Sequence, residues 1–425
     1  MMTFAIYTLG CKVNTYESNV MSELLKNKGY KEVAFNKQAD IYIINTCTVT
    51  NMADHKSMKM IRQAIKRNKN AIIVVVGCLV QNKDIKIDDV DIIIGNKNKN
   101  KIAQYIEEYI KNKQKIEDVK DLKKTSFENM QVSSFNKTRA FIKIQDGCNN
   151  YCAYCIIPYV RGNICSKDPI LVIEEVNELV KKGHQEIVLT GIHTGSYGAD
   201  LDNYDLSDLL KELVKIDGLK RIRISSIEIT EINERLMNLI KDNPILVNHM
   251  HIPLQSGSNK ILKLMNRKYD IDYFITKINK LRSIRPDISI TTDVILGFPN
   301  ETEEDFQETI ETVRKIKFSK IHVFPYSKRE GTVAAKMDNQ VSNEIKKKRV
   351  AELIKVSKEL EIDYMKKFIN KEVTFIPEIY KNDYLIGHTG NYLLVKMKGD
   401  KNLINQEIKC EIVKVEYPYV IVNKK

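Results

Sequence analysis

Cysteines are the residues of this chain whose type and spacing most directly suggest chemistry. Cys148, Cys152 and Cys155 follow one another with the spacing C-x3-C-x2-C. Three thiolates on one short loop can hold a cubane iron–sulfur cluster by three of its irons, and the fourth iron stays open for another ligand. The alternative is a zinc site, which requires a fourth ligand, and Cys165 is the local candidate for it.

Three earlier cysteines each follow a short apolar run that is typical of a buried strand. They are Cys11, Cys47 and Cys78. In a parallel sheet the carboxyl ends of all strands share one edge, so these three thiols are expected to converge. A lone cysteine at a strand end is usually a small packing residue, but three at equivalent positions indicate a second metal or cluster site. Cys165 and Cys410 are then left over as packing residues.

Alternating strand and helix patterns surround the first three cysteines. Such alternation, with continuous apolar strands, predicts an α/β fold with a doubly wound parallel sheet over residues 1–115. The next segment, 116–136, is polar and without a clear period, and is predicted to be a linker. The predicted strands are Phe4–Leu9, Ile41–Asn45, Ile72–Val76 and Ile92–Gly95, and the predicted helices are Glu17–Lys28, Asp54–Arg67 and Lys101–Lys113.

A second alternating series covers residues 137–368 and contains six strand–helix units. It predicts a partial (β/α)6 barrel, whose active site would lie at the carboxyl ends of the strands. The first of these strands leads directly into the Cys148 loop. The predicted strands are Ala140–Gln145, Glu186–Leu189, Arg221–Ser225, His249–Leu254, Ile288–Leu296 and Lys320–Pro325.

Polar side chains and glycines gather at the ends of these strands. Any one polar residue could be a satisfied core group, but several together predict a ligand site, and glycine permits close approach of a ligand to the backbone. The residues concerned are Gly191, Ser226, Glu228, His251, Gln255, Asp293 and Gly297.

The tail, residues 369–425, changes to strand patterns with glycines at the turns. The strand patterns are Glu372–Pro377, Tyr392–Lys398 and Glu407–Val422, and they predict a small all-β barrel. Lysines and tyrosines alternate here, which is typical of RNA-binding surfaces that combine phosphate contact with stacking. A half-buried sheet without RNA would show the same alternation.

Bulk properties limit the classes of partner. The 425 residues carry a formal net charge of +13, which favours an anionic partner such as nucleic acid but also fits a lysine-rich composition. There is no apolar run of about 18 residues and no signal-peptide pattern, so the expectation is a cytoplasmic protein without a membrane partner. Disulfides are not expected in that reducing compartment.

Longer motifs around these cysteines resemble the radical S-adenosylmethionine methylthiotransferases over nearly the whole chain. The cluster loop of that family resembles the segment 145–162, Gln-Asp-Gly-Cys-Asn-Asn-Tyr-Cys-Ala-Tyr-Cys-Ile-Ile-Pro-Tyr-Val-Arg-Gly. The family's amino-terminal motifs resemble segments 8–18 and 45–51. Later segments of the same superfamily are similar to 189–195, 221–228, 251–258, 292–299 and 324–332.

The resemblance implies two [4Fe-4S] clusters and S-adenosyl-L-methionine as cofactors. Cys148, Cys152 and Cys155 would hold the cluster that cleaves S-adenosylmethionine to a radical, and Cys11, Cys47 and Cys78 would hold the cluster that presents sulfur. It further implies a TRAM-like RNA-binding tail, the anticodon loop of tRNA as partner, and a reductase or flavodoxin-type electron donor. The implied contacts to S-adenosylmethionine are Tyr154, Gly191, Ser226, Glu228, Gln255, Asp293 and Gly297.

The residues of the amino-terminal motifs resemble one branch of the family more than the others. Gly-Cys-Lys-Val-Asn at 10–14 and Asn-Thr-Cys-Thr-Val-Thr-Asn at 45–51 are similar to the branch that adds a methylthio group to C2 of N6-threonylcarbamoyladenosine beside the anticodon. The alternatives are isopentenyladenosine, a ribosomal protein or, more distantly, a zinc-holding RNA-binding protein. Asn300 departs from the usual glycine, and asparagine tolerates the positive φ expected there.

Overall fold

The computed structural model describes residues 1–82, 87, 89–122, 126–135 and 138–424. Its first part is a six-stranded sheet with the order β2-β1-β3-β4-β5-β6, in which every neighbouring pair is parallel. The strands are β1 (Thr3–Thr8), β2 (Lys31–Glu32), β3 (Ile41–Thr46), β4 (Ile72–Gly77), β5 (Ile92–Ile94) and β6 (Ile116–Asp118). The helices are α1 (Lys12–Asn27), α2 (Asn51–Arg67), α3 (Cys78–Gln81) and α4 (Ile102–Asn112).

Helices cover both faces of this sheet, because β3 and β4 are buried along their whole length and apolar until their carboxyl ends. Two separate hydrophobic clusters result, one on each face. Two expectations were wrong in detail. Helix α1 begins at Lys12 rather than at Glu17, since Val13 and Tyr16 pack inward in its first turns. Strand β6 lies within the segment predicted as a linker, where Ile116 pairs with Ile92 of β5.

The middle of the chain forms two parallel three-stranded sheets, β11-β10-β7 and β12-β13-β14. Single bridges between Ile222 and Leu246 and between Ser226 and His251 join them. These six strands are β7 (Arg139–Lys143), β10 (Glu186–Thr190), β11 (Arg221–Ile224), β12 (His249–His251), β13 (Ser289–Leu296) and β14 (Lys320–Pro325). A short antiparallel pair, β8 (Gln145–Asp146) and β9 (Cys165–Ser166), flanks the cysteine loop.

Helices pack on the outer face of these strands, where alternate apolar residues form one large core. The inner face is polar, and the first residue of each strand is Arg139, Glu186, Arg221, His249, Ser289 or Lys320. The helices are α5 (Ile157–Arg161), α6 (Pro169–Lys181), α7 (Leu206–Leu213), α8 (Glu234–Asp242), α9 (Asn259–Leu264), α10 (Ile271–Ile284), α11 (Glu303–Ile316) and α12 (Asn343–Lys366). The predicted α/β fold with parallel sheets is confirmed.

Five strands in the tail are hydrogen-bonded in the closed order β15-β16-β17-β19-β18. Two details differ from expectation. Strand β16 was not predicted, and the pattern at Glu407–Val422 is two strands, which the turn at Tyr417–Pro418 separates. The strands are β15 (Glu372–Lys381), β16 (Tyr384–Thr389), β17 (Leu394–Lys398), β18 (Ile408–Glu416) and β19 (Tyr419–Lys424).

Within the described ranges, every helix is too short or too polar to cross a membrane.

Candidate active site

The loop with Cys148, Cys152 and Cys155 follows β8 at the carboxyl end of the barrel strands. The side-chain amide of Gln145 donates to the carbonyl of Gly147 at 2.8 Å, and the backbone N–H of Cys148 donates to the carbonyl of Gly162 at 3.1 Å. All three cysteine side chains are half-buried. The two hydrogen bonds brace the loop internally, and the backbone N–H of Ala153 ties it to the barrel domain by donating to the carbonyl of Met265 at 3.0 Å.

Cationic side chains contact two of these three sulfurs. Nη1 of Arg267 donates to Sγ of Cys152 at 3.3 Å, and Arg267 is held by an ion pair with Glu228. Burial would lower the pKa of His193, but its hydrogen bond to Cys148 and its 2.7 Å ion pair with Glu231 raise it to about 10. Donors and positive charge beside a sulfur favour the thiolate, which is the form that binds metal.

The third sulfur of the loop, that of Cys155, is shielded from water by burial. Burial raises the pKa of Cys155 to about 12. Without a metal ion this thiol is therefore protonated at neutral pH, and metal binding there must displace a proton.

Cys11, Cys47 and Cys78 lie at one edge of the amino-terminal sheet, because β1, β3 and β4 are neighbours that end there. A methyl group added to Gly10 would lie 2.8 Å from Sγ of Cys47, so the chain of Cys11 passes directly against that thiol. Burial raises the pKa of Cys47 to about 11, and the charges of Cys78 and Cys11 act on it in the same direction. The convergence predicted from the strand ends is present.

The thiols of the two groups are spaced more widely than the ligands of a single zinc ion. Zinc–sulfur bonds of about 2.3 Å would place the sulfurs about 3.8 Å apart. Among the described residues, the one Cys, His, Asp or Glu group whose three ligand atoms lie within 4.8 Å of one another is His251, Asp293 and His322. Neither cysteine group meets this criterion.

Cys165 does not complete a four-cysteine site. It lies in β9, is buried, and contacts Nζ of Lys97 at 3.8 Å. Cys410 lies in the core of the tail, and its thiol is 3.6 Å from the carbonyl of Val373. Both fit the expected role of packing residues.

Arg161 connects the two cysteine groups. It is fully buried, and its Nε donates to Sγ of Cys78 at 3.3 Å. Its Nη1 is 2.7 Å from Oε1 of Glu17 in α1 and 3.4 Å from Asp146, which lies two residues before Cys148. One guanidinium therefore contacts the thiol of Cys78, helix α1 directly after Cys11, and the residues that lead into the Cys148 loop.

Two buried lysines complete this ion network. Lys143 is 2.9 Å from Glu17 and 2.6 Å from Asp146, and Lys99 also pairs with Glu17. Burial alone would raise the pKa of Glu17, but Arg161, Lys143 and Lys99 together hold it well below its usual range. Asp146 has its pKa lowered to about 2 by Lys143 and Arg161, against the effect of burial. Sequence reasoning missed this network, although Glu17 and Arg161 both stand in the quoted motifs.

A cavity of about 260 Å³ lies between the loop after Cys47 and the mouth of the barrel. It brings together three of the predicted cofactor contacts, Tyr154, Gln255 and Asp293, with Cys155. Oε1 of Gln255 is buried there without a hydrogen-bond partner in the described structure. Its other lining residues are Val49, Thr50, Ile156, Ile157, Ile295, Phe324, Pro325, Tyr326 and Ser327.

The remaining predicted contacts lie around this cavity in other roles. Gly191 packs against Gln145, because a methyl group there would lie 2.8 Å from Oε1 of Gln145. Ser226 pairs with His251, and Glu228 holds Arg267.

The turn after β13 contains the last of them. Gly297 has φ +73° and packs against the side chain of Lys346. Neither residue lines the cavity. Asn300 in the same turn has φ +68°, so the departure from glycine is accommodated.

Comparisons with known proteins agree with this geometry. Residues 142–313 match the radical SAM superfamily, and residues 3–95 match the uncharacterized protein family UPF0004. The chain is 44% identical to "Threonylcarbamoyladenosine tRNA methylthiotransferase MtaB" of Bacillus subtilis, covering 99% of this chain and 95% of the relative. It is 38% identical to "tRNA-2-methylthio-N(6)-dimethylallyladenosine synthase" of Natranaerobius thermophilus, covering 97% and 94%.

A solved structure shares the fold at low sequence identity. The radical S-adenosylmethionine methyltransferase TsrM from Kitasatospora setae superposes with a TM-score of 0.55 at 12% identity, over 76% of this chain and 74% of that chain. Full-length identity of 44% to a curated relative is decisive for family membership. This chain belongs to the radical S-adenosylmethionine methylthiotransferase family.

Proposed function

We propose that this chain is a tRNA methylthiotransferase that adds a methylthio group to C2 of N6-threonylcarbamoyladenosine beside the anticodon. The relative from Bacillus subtilis with that substrate in its name matches over almost the full length of both chains. The observation that carries the proposal is the pair of three-cysteine groups that Arg161 connects, with a cavity beside them. The reaction needs one group to generate a radical and another to present sulfur.

Cys148, Cys152 and Cys155 are assigned to the first cluster, and Cys11, Cys47 and Cys78 to the second. When bound, these clusters and S-adenosylmethionine supply the radical that opens the C2–H bond and the sulfur and methyl group that replace hydrogen. No side-chain acid or base can remove an unactivated aromatic hydrogen, so the site needs no catalytic dyad.

The protein's own side chains bind and orient. Oε1 of Gln255 and the carboxylate of Asp293 offer acceptors to the amino or hydroxyl groups of a ligand in the cavity. Arg267 and His193 stabilise the thiolates of Cys152 and Cys148. Tyr154 forms part of the cavity wall. Gly191, Ser226, Glu228 and Gly297 complete the assigned cofactor contacts, Gly191 and Glu228 through the residues that they support.

We assign residues 1–115 together with β6 to the methylthiotransferase domain, the rest of 116–136 to a linker, 137–368 to the radical domain and 369–425 to a TRAM-like RNA-binding domain. The tail supports the last assignment through its exposed aromatic rings, with Nζ of Lys396 4.2 Å from the centre of the Tyr384 ring. An aromatic ring beside a cation is a suitable platform for an RNA base and its phosphate. The tRNA anticodon loop as partner, a reductase or flavodoxin-type electron donor and a cytoplasmic location belong to the same proposal.

Nucleoside analysis of tRNA from a deletion strain tests the substrate. The methylthiolated threonylcarbamoyladenosine should disappear, and threonylcarbamoyladenosine without the methylthio group should accumulate. The wild-type gene should restore the product, and a gene with Cys148→Ala should not. Loss of the methylthio-isopentenyl nucleoside, or of a ribosomal-protein modification, would instead support another branch of the family.

Anaerobic purification tests the chemistry. We expect about eight irons and eight sulfides per chain, since each cubane holds four of each. Bound zinc in a colourless protein, without iron or sulfide, would refute the enzyme proposal in favour of a zinc-holding RNA-binding protein.

A further inference from the structure

Three neighbouring strands of the barrel each carry one side chain of a type that binds metal ions. The side chains are His251 at the end of β12, Asp293 in β13 and His322 in β14. One ligand atom of each lies within 4.8 Å of a ligand atom of the other two. Among the Cys, His, Asp and Glu side chains of the described ranges, these three form the one group that is this close.

Strand register brings the three side chains together. Asp293 lies opposite His322 in the parallel pair of β13 and β14, and Thr291 lies opposite His251 in the pair of β12 and β13. Residues two apart on a strand project from the same face, so Thr291 and Asp293 share a face with the two histidines. The group is therefore a product of the sheet and belongs to rigid elements.

The ring of His251 is held in the orientation that a metal ligand needs. Its Nε2 is 3.3 Å from Oδ2 of Asp293, and its Nδ1 is 3.0 Å from Oγ1 of Thr291. A histidine that binds a metal ion through one nitrogen generally donates the N–H of the other to an oxygen, which fixes the ring. Thr291 provides that oxygen, and Nε2 is left facing Asp293.

A second histidine extends this chain of hydrogen bonds. Oγ1 of Thr291 is also 3.1 Å from Nε2 of His249, and the ring of Tyr392 stacks on His249 at 4.8 Å between centres. Burial lowers the pKa of His249 well below its usual value, so this ring is neutral and can accept a proton. A hydroxyl can accept one hydrogen bond while it donates another. Thr291 can thus accept from His251 and donate to His249, which leaves the lone pair of His251 Nε2 free for an ion.

The ring of His322 is available as a ligand. It makes no hydrogen bond to any described residue, and its centre lies 5.7 Å from that of the His251 ring. Desolvation lowers the pKa of His322, although Asp293 acts in the opposite direction. The imidazole is therefore neutral at neutral pH, and neutral imidazole is the form that binds metal.

The three side chains lie between two cavities. Asp293 lines the cavity of about 260 Å³ beside Cys155, and His322 lines a second cavity of about 210 Å³ between the barrel and the tail. Three protein ligands leave at least one coordination position of an ion open, and an oxygen atom of a molecule in either cavity could fill it. A carboxylate has two oxygens, so Oδ1 of Asp293 remains for the cofactor contact assigned above.

We propose that His251, Asp293 and His322 bind a divalent transition-metal ion such as Zn²⁺ within the barrel. Imidazole ligands favour such ions over Mg²⁺ and Ca²⁺, which prefer oxygen ligands alone. Zinc bonds of about 2.1 Å place tetrahedral ligands about 3.4 Å apart. The 3.3 Å between His251 and Asp293 already matches this spacing, and rotation of the His322 side chain would complete it. The proposal goes beyond the methylthiotransferase reaction and does not depend on which tRNA nucleoside is modified.

Zinc loading of the reconstituted holoenzyme tests the proposal. The protein is freed of loosely bound metal with a chelator, incubated with Zn²⁺ and desalted, and its zinc and iron are then counted. The wild type should hold one zinc in addition to about eight irons. His322→Gln should keep the iron and bind zinc roughly 100-fold more weakly, because one of three protein ligands is lost.

Two further variants separate this site from adventitious binding. Thr291→Val keeps all three ligands but removes the hydrogen-bond partner of His251, and should weaken zinc binding about 10- to 100-fold. His184→Gln removes a half-buried histidine in the loop between α6 and β10, which accepts from the backbone N–H of Phe135 at 3.2 Å. It should bind zinc as the wild type does. If His322→Gln does not fold, His251→Gln allows the same comparison.

X-ray absorption at the zinc edge identifies the ligands. Nitrogen and oxygen neighbours with imidazole scattering would support the site. Sulfur neighbours, or zinc gained with a loss of iron, would assign the zinc to the cysteines and overturn the proposal. Equal zinc affinity of the wild type and His322→Gln would also overturn it, as would a wild type that retains no zinc.

Discussion

The two cysteine groups meet a similar chemical requirement by opposite structural means. Cys148, Cys152 and Cys155 lie on one loop, and their spacing alone makes the group visible in the sequence. Cys11, Cys47 and Cys78 come from the ends of three different strands and meet only because β1, β3 and β4 are neighbours. The first group is a local motif, and the second is a product of the tertiary fold.

This difference extends to what holds each group in place. The loop depends on hydrogen bonds within itself, such as those of Cys148 and Gln145, and on the bond from Ala153 to Met265. The sheet-edge group depends on strand register and on Gly10 and Gly77, which have φ +96° and +102°. Damage to the sheet should therefore cost the second cluster alone, and damage to the loop the first.

The largest expected effect comes from removing one group at a time. Replacing Cys148, Cys152 and Cys155 with alanine should halve the iron from about eight to about four per chain and abolish modification. Replacing Cys11, Cys47 and Cys78 should also leave about four, but S-adenosylmethionine cleavage should persist without methylthiolation. Iron counting and product analysis measure both. If either triple variant lost all iron, the groups would not be independent.

Two single glycine changes sharpen the comparison without touching a cysteine. In Gly10→Ala the new methyl group would lie 2.8 Å from Sγ of Cys47, at a φ that alanine adopts poorly. We expect loss of the sheet-edge cluster with the loop cluster retained. Gly147→Ala would collide with the carbonyl of Asn163 and should have the opposite effect. Spectroscopy that distinguishes the two clusters measures which one each variant has lost. If both variants lost both clusters equally, the two groups would not be held in place independently.

Arg161→Gln tests the connection between the groups. It leaves Glu17 and Asp146 buried with one cation fewer, which should lower the free energy of unfolding by about 3–5 kcal/mol. Urea denaturation of the metal-free chain measures this. The control is Arg235→Gln, which breaks half-exposed pairs with Asp205 and Asp208 and should cost less than about 1 kcal/mol. Equal losses in the two variants would show that Arg161 stabilises the fold no more than a half-exposed ion pair does.

The smallest effect concerns acid pH. The pKa values of Glu17 and Asp146 are depressed in the folded chain. The two ionised carboxylates therefore contribute their full stabilisation of the fold above the pKa values of the unfolded chain, which are near 4.5 and 3.8. It is lost as the pH falls through the folded values, which is about 2 for Asp146. Stability of the metal-free chain should thus fall between pH 4.5 and 2, and less steeply in Glu17→Gln. A variant of the exposed Glu212, which pairs with Lys215, should follow the wild type.

The sequence predicted those parts that local pattern determines. The alternation of strands and helices predicts the parallel sheets, and the shared carboxyl edge of parallel strands predicts that Cys11, Cys47 and Cys78 lie together. Polar strand ends indicated Gln255 and Asp293, which do line the cavity.

What the sequence did not reveal depends on packing between distant segments. Nothing in the spacing of Glu17, Lys143 and Arg161 indicates that they form one buried network, because their partners lie more than a hundred residues apart. Strand β16 was missed because Gly387 and His388 interrupt its apolar pattern. The contact between the ring of Tyr392 and the guanidinium of Arg223 depends on how the tail packs on the barrel, and no local pattern in the sequence predicts that packing.

The ring of Tyr392, in the tail that we assign to RNA, stacks on His249 at the start of β12 and lies beside the guanidinium of Arg139 at the start of β7. A chain truncated after residue 368 would lose that ring and its contacts with the amino ends of β7 and β12. Its defect would go beyond weak capture of tRNA, since barrel strands whose other ends carry the candidate active site would lose packing contacts at their starting ends. Such a fragment should unfold at a lower urea concentration than the full chain.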